Sequence, residues 1–413
     1  MTAEPMKYSE HVTPSGLRVY VEEIAAARSA ACGYFVATGS RDETPEVMGV
    51  SHFLEHMSFK ATKKRSAIEV SRELDNMGSR ANAYTSWERT VYFAQVLPEF
   101  VPGAIGLIAE MIDPGFLEED FRTEKNVILE EIEMYNDRPE FLLFEYLLQE
   151  RYRNHPLSGR ILGTGESITA LQLEQMKAYH ADRYRRSNIV LAVAGAVKAE
   201  EIIRIADLLE DPGAERRSFA GSAVMIPKSE SGRHAKVTRE TDMREHYMAA
   251  WAGPPTPKMR ERYVASVLAI LLGDEEGSRF AWALTHKGIT EDADAGAISF
   301  RDDGLFYAGF TSTKENFDRA REILHGEIAR LRKGGLEPDE LERARTKYAS
   351  RIMLGAESTM SRMSGLGNDS LDGVGYFSVR EELDIIMAIQ EEHVMEMAQG
   401  LDDPIASAQI GPI

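Results

Sequence analysis

Val47-Met48-Gly49-Val50-Ser51-His52-Phe53-Leu54-Glu55-His56-Met57-Ser58-Phe59 reads as a helix with two different faces. Val50, Phe53, Leu54 and Met57 recur at helical spacing and turn one side toward a core. His52 and His56, four apart, leave a common face and can converge on one ion, and Glu55, three after His52, shares that face. A solvated helix gives no reason to surround these groups with Phe53, Leu54 and Met57.

Upstream of this helix, Leu17 to Glu22 and Ser29 to Thr38 have the β-branched, aromatic and small apolar content of strands between turn residues. Downstream, Ala67 to Met77 is helical and Gly78 ends it. Arg80 to Leu97 then alternates as strands do. The pattern turns helical from Glu99, breaks at Pro114-Gly115, and resumes from Glu118 to Tyr135 and from Glu140 to Tyr152. Ser187 to Gly195 is an apolar strand that closes the unit. Strands and helices mix without regular βαβ alternation, which predicts an α+β layer with helices mainly on one face of a mixed, mostly antiparallel sheet.

A chain of 413 residues exceeds one ordinary core, and two similar halves would fit it. From Asp211 to Lys236 the composition changes to scattered Pro, Gly and charge, as in a connector. A second unit follows, with strand-like His246 to Ala252, helix Met259 to Leu272, strand Gly304 to Thr311, helices Phe317 to Arg332 and Asp339 to Met353, and strand Pro404 to Ile410. Leu117, Glu118 and Asp120 recur as Leu336, Glu337 and Asp339 at a constant offset of 219. The expected division is 1–212, a linker 213–236, and a second related domain 237–413. At that offset Glu124 and Glu131 fall on Arg343 and Ser350, so only the first copy has the residues for a metal site.

Composition narrows the partners. A net charge of −19 disfavours nucleic acid, because phosphate binding needs a basic surface, and favours basic or neutral ligands. No apolar run approaches the roughly 20 residues of a membrane span. The first residues carry no basic region followed by an apolar stretch, so a mature, cytoplasmic chain is expected. The single cysteine, Cys32, sits in a strand-like run and offers neither a disulfide nor a thiolate cluster. Any metal must therefore rest on His and carboxylate ligands.

Two imidazoles and a carboxylate hold zinc with one position free for water, and a neighbouring carboxylate can take that water's proton. Glu55 is the candidate for that base. For the third ligand, the helix around residues 123–133 offers Glu124, Glu130, Glu131 and Glu133. Glu124 and Glu131, seven apart, share a face that Val127 and Ile128 could seat against the core, whereas Glu130 and Glu133 point elsewhere.

Here the chain resembles the pitrilysin-type zinc peptidases, which carry an inverted His-x-x-Glu-His motif and include mitochondrial processing peptidase and insulin-degrading enzyme. The resemblance runs through HFLEHMSFKAT, GSRANAYTSWERTVYF, EKNVILEEIEMYNDRP, HPLSGRILG and the Tyr184 to Gly195 strand, in the family's order and approximate spacing. It implies zinc on His52, His56 and Glu131, with Glu55 as base and Glu124 as a further carboxylate that orients the site. It also implies two similar domains that form a clam-shell chamber on dimerisation. Substrate would be an unfolded peptide added as a strand beside Ala81 to Thr85, with Asn82, Ala83 and Tyr84 as contacts and Asn82 orienting the scissile peptide.

One stretch departs from the family. Active members present an Arg and a Tyr seven apart that help to hold the substrate carbonyl, and here Leu284 and Glu291 occupy those positions. The resemblance therefore implies the metal-bearing subunit of a heterodimer whose related partner supplies the Arg/Tyr pair. A homodimer using His286 or Lys287, a weakly active or non-catalytic peptide-binding subunit, and a metallohydrolase with a non-peptide substrate are the alternatives.

Overall fold

Alternating Val, Tyr, Ala and Phe, bounded by turn residues, give the central strands their pleated, half-buried surfaces. The structure, a computed structural model describing residues 6–209 and 232–413, holds two sheets. The first comprises β1 (Lys7–Val12), β2 (Arg18–Glu23), β3 (Ala30–Val36), β4 (Arg80–Thr85), β5 (Thr90–Val96) and β6 (Ile189–Gly195), in the order β1-β2-β6-β3-β5-β4. The second comprises β7 (Arg233–Arg239), β8 (Glu245–Ala252), β9 (Asp292–Ser299), β10 (Gly304–Ser312) and β11 (Ala406–Pro412), in the order β7-β11-β8-β10-β9. Without β1 the two orders match strand for strand. Each sheet has one parallel pair, β2 with β6 and β7 with β11, and is otherwise antiparallel. The protein is thus α+β with two similar domains built on mixed sheets.

Helices lie mainly on one face of the first sheet. Val101–Met111 packs on β3 and β5, its Val101, Ile105 and Ile108 in one cluster with Tyr34 and Ala94. β3 and β6 are nevertheless buried along their whole lengths, because the other face is covered too. Helix Thr359–Leu371 sets Met363 and Leu366 on Phe35, Val91, Val190 and Ala192. That helix comes from the second half of the chain. Conversely, helix Pro139–Arg151, from the first half, packs on β11, β8 and β7. The two helices are offset by 220 residues at both ends, so corresponding elements of the repeat are exchanged. Within the described residues, one compact unit comprises 6–133, 159–209 and 355–376, and the other 134–158, 232–354 and 377–413. Contiguous halves at 1–212 and 237–413 do not contain this exchange.

Polar bonds fix the exchanged helix to the first sheet. Arg362 donates through Nε and Nη2 to the two oxygens of Glu22 at 2.8 and 2.7 Å, and Tyr376 donates to the same carboxylate at 2.7 Å. Arg89 reaches Asn368 at 2.7 Å and Asp372 at 3.0 Å.

Other expectations shift at their edges. The Arg80 to Leu97 run is a hairpin of β4 and β5. The motif helix starts at Val50, and its left-handed N-cap Gly49 has φ 90°. A Cβ there would meet the Leu162 carbonyl oxygen at 2.6 Å, so only glycine fits. Most of the expected linker 213–236 lies outside the described residues, and Arg233 to Lys236 already belong to β7. Cys32 is buried in β3, where burial pushes its thiol up to about 12, well away from a reactive thiolate. Among the described residues no helix is long and apolar enough to cross a membrane.

Candidate metal centre

Helix Val50–Ser58 is short, so packing rather than propensity holds it. Val50, Phe53, Leu54 and Met57 are buried in one cluster with Phe121, Ile128 and Ile132 of helix Glu118–Asn136. The Phe53 and Phe121 rings stack at 4.7 Å. This seam brings the polar faces of the two helices together. Ile128 is the seat that the Glu124/Glu131 spacing implied; Val127 is 42% exposed and is not part of it. Glu130 and Glu133 are exposed.

His52, His56 and Glu131 meet, with their ligand atoms all within 4.8 Å of one another. Glu131 Oε2 lies 3.4 Å from His56 Nε2 and 3.8 Å from His52 Nε2. Tetrahedral zinc with bonds of about 2.0–2.2 Å needs neighbouring ligand atoms about 3.3–3.6 Å apart, and the two carboxylate–imidazole spacings lie close to that. Burial, and then the neighbouring His56, hold His52 well below the usual imidazole range, which leaves the ring neutral as a ligand must be. Its Nδ1 is buried without a hydrogen-bond partner among the described residues. For His56, burial lowers the pKa, but the Glu131 and Glu124 carboxylates outweigh it and raise the ring above its ordinary value. The hydrogen bond with His56 in turn holds Glu131 below the usual carboxylate range against its burial.

Behind this cluster, Glu124 is buried and accepts from His56 Nδ1 at 3.1 Å, which fixes the ring so that Nε2 faces Glu131. Lys60, a residue the spacing did not single out, donates to the other oxygen of Glu124 at 2.6 Å and compensates its buried charge. Glu55 stands outside the ligand cluster. Burial raises its carboxyl, and Thr85 at the end of β4, donating to Oε2 at 2.6 Å, partly offsets this. A carboxylate so placed is a stronger base than one in water.

β4 is an edge strand of its sheet and packs beside the motif helix. Ala83 is buried, Asn82 is exposed with its Oδ1 accepting from the Ala83 N–H at 2.9 Å, and Tyr84 is partly exposed. In the second unit, Leu284 is fully buried in the core, and Glu291 pairs with Arg244. Neither position offers a donor for a carbonyl oxygen.

The chain thus has two similar domains, and the first carries two imidazoles and a carboxylate placed to share one ion. The family model described as insulinase (peptidase family M16) matches residues 18–165, and the one described as peptidase M16 inactive domain matches residues 170–348. An uncharacterized zinc protease of Bacillus subtilis, YmxG, is 32% identical over 96% of this chain and 97% of its own. An uncharacterized zinc protease of Mycobacterium leprae is 30% identical over 97% of this chain and 90% of its own. Among solved structures, a protease from Helicobacter pylori superposes with a TM-score of 0.93 at 19% identity, covering 99% of this chain and 100% of that one. The chain belongs to the insulinase-type peptidase family, and its metal is zinc, with His52, His56 and Glu131 as the described cluster able to hold it.

Proposed function

We propose that this chain is a zinc-dependent endopeptidase that hydrolyses unfolded peptides or leader sequences, and that it is the metal-bearing subunit of a two-subunit enzyme. The observation that carries the reading is the convergence of His52, His56 and Glu131 with Glu55 beside them but outside the ligand set. A binding subunit has no physical need for all four groups.

In this reading His52, His56 and Glu131 hold the zinc, which supplies a Lewis acid toward water and the peptide carbonyl. Glu55 accepts a proton from the attacking water and returns it to the leaving amine nitrogen, while Thr85 keeps the carboxylate aimed. Glu124, neutralised by Lys60, keeps the His56 ring oriented. The peptide lies along β4 as an added strand, its main chain bonded to the free strand edge. Asn82, Ala83 and Tyr84 line that edge, with Asn82 exchanging its bond to Ala83 for one to the substrate.

Leu284 in the core and Glu291 in an ion pair favour the two-subunit arrangement, because the donors for the developing oxyanion must come from elsewhere. A related chain carrying the Arg/Tyr pair would complete a clam-shell chamber, and a second copy of this chain is the alternative partner. On a basic, unstructured fluorogenic peptide, the purified chain alone is expected to be slow, and a related chain with the pair should accelerate it about 10²–10³-fold. Full activity of the isolated chain would remove the shared-site proposal. Absence of zinc-dependent cleavage in either case would leave a peptide-binding or assembly subunit.

A further inference from the structure

We propose that Glu43 and Tyr179 are positioning residues that keep the first turn of the zinc-bearing helix formed, a role that rests on the reading of His52, His56 and Glu131 as zinc ligands. The helix begins at Val50 behind Gly49, which has no side chain to cap it. Its earliest backbone donors are among the groups that a helix leaves without internal partners. Glu43, six residues before Gly49, supplies the cap from a distance. Its Oε2 accepts from the Gly49 N–H at 2.6 Å and its Oε1 from the Ser51 N–H at 2.8 Å. The same turn is tethered a second time, because the Tyr179 hydroxyl lies 2.9 Å from Ser51 Oγ and 2.7 Å from Thr38 Oγ1. The loop that delivers Glu43 is itself held, since Arg183 donates to the Asp42 side chain and main chain at 3.3 and 3.2 Å.

Ser51 directly precedes His52, so this clamp acts one residue from a ligand. His52 is only the third residue of the helix, and a frayed first turn would carry it away from Glu131. Binding then falls by the fraction of molecules in which the turn is formed. Stability alone is a poor account of Glu43. Burial pushes its carboxyl up to about 8 in spite of the two N–H bonds, the mark of a group whose charged form sits unfavourably.

The test is the zinc affinity of the full chain, read by competition with a chromophoric chelator, together with the visible spectrum of the Co²⁺-substituted protein. In Glu43→Gln one of two acceptor oxygens becomes an amide that cannot accept, so zinc should bind about tenfold more weakly, within the range seen for groups that orient ligands. The Co²⁺ bands should change in intensity while the melting temperature stays near or above that of the wild type. A folded Glu43→Gln chain with wild-type zinc affinity and a superimposable Co²⁺ spectrum would overturn the proposal. Tyr179→Phe removes one hydroxyl and tests the same turn more gently. A loss of about threefold is expected, as for one hydrogen bond, and should Glu43→Gln fail to fold, unchanged affinity in Tyr179→Phe overturns the proposal instead. A wild-type chain that binds no zinc defeats the metal reading as well; a zinc-binding wild type with indifferent variants defeats only the clamp.

Discussion

Glu55→Gln is expected to lower kcat for peptide cleavage about 10³-fold while the protein still binds one zinc per chain. The two halves of that result come from one geometry. Glu55 lies outside the His52, His56 and Glu131 cluster, so the metal keeps its ligands. The glutamine has the same shape and can still accept from Thr85, so β4 and the motif helix stay in place. What the amide cannot do is take a proton. A loss in kcat with KM little changed would mark an interaction used in the transition state. Retained cleavage would show that the base lies elsewhere, and lost zinc would show that Glu55 is a ligand.

The second large effect is on folding. Arg362→Met is expected to cost about 3–5 kcal/mol, read as a shift in the urea unfolding midpoint. Glu22 is fully buried, and Arg362 satisfies both of its oxygens. Removing the guanidinium leaves the buried carboxylate to the Tyr376 hydroxyl. Since Arg362 is on the exchanged helix, the damage is to the cover over β2, β6 and β3. Replacing Glu22 by Leu in the same chain should recover most of the loss, because an apolar pair of similar volume needs no compensation. If the double variant is as unstable as the single one, the pair is not the reason that the helix stays seated.

The site was legible because helix geometry is strict. His52, Glu55 and His56 share a face by spacing alone, and the seven-residue step from Glu124 to Glu131 selected them over Glu130 and Glu133. Lys60 and Glu43 were not legible, since each acts on a group far away in the chain or through backbone donors, and neither leaves a periodic signal. The same holds for the fold. Strongly apolar β3 and β6 announced themselves, but β9, Asp-Ala-Asp-Ala-Gly-Ala-Ile-Ser, is small and acidic and becomes a strand only by pairing with β10. The polar strand β1 is a similar case, held by its register on β2. The exchange of helices between the two repeats was invisible for another reason. Periodicity tells which face of Thr359–Leu371 is apolar, and not which sheet it will cover. The polar anchors, buried Arg362 to Glu22 and half-buried Arg89 to Asp372, single out that sheet, and they join residues more than 280 apart in the chain.

Metal analysis tests the central claim most directly. After exhaustive dialysis from excess zinc, the wild-type chain should retain one zinc per molecule. Glu131→Gln should lose it or bind at least about tenfold more weakly, while Glu130→Gln, one residue away on the exposed face, should bind as the wild type does. Wild-type protein without zinc, or a Glu131→Gln chain that holds it as tightly as Glu130→Gln does, would contradict the account.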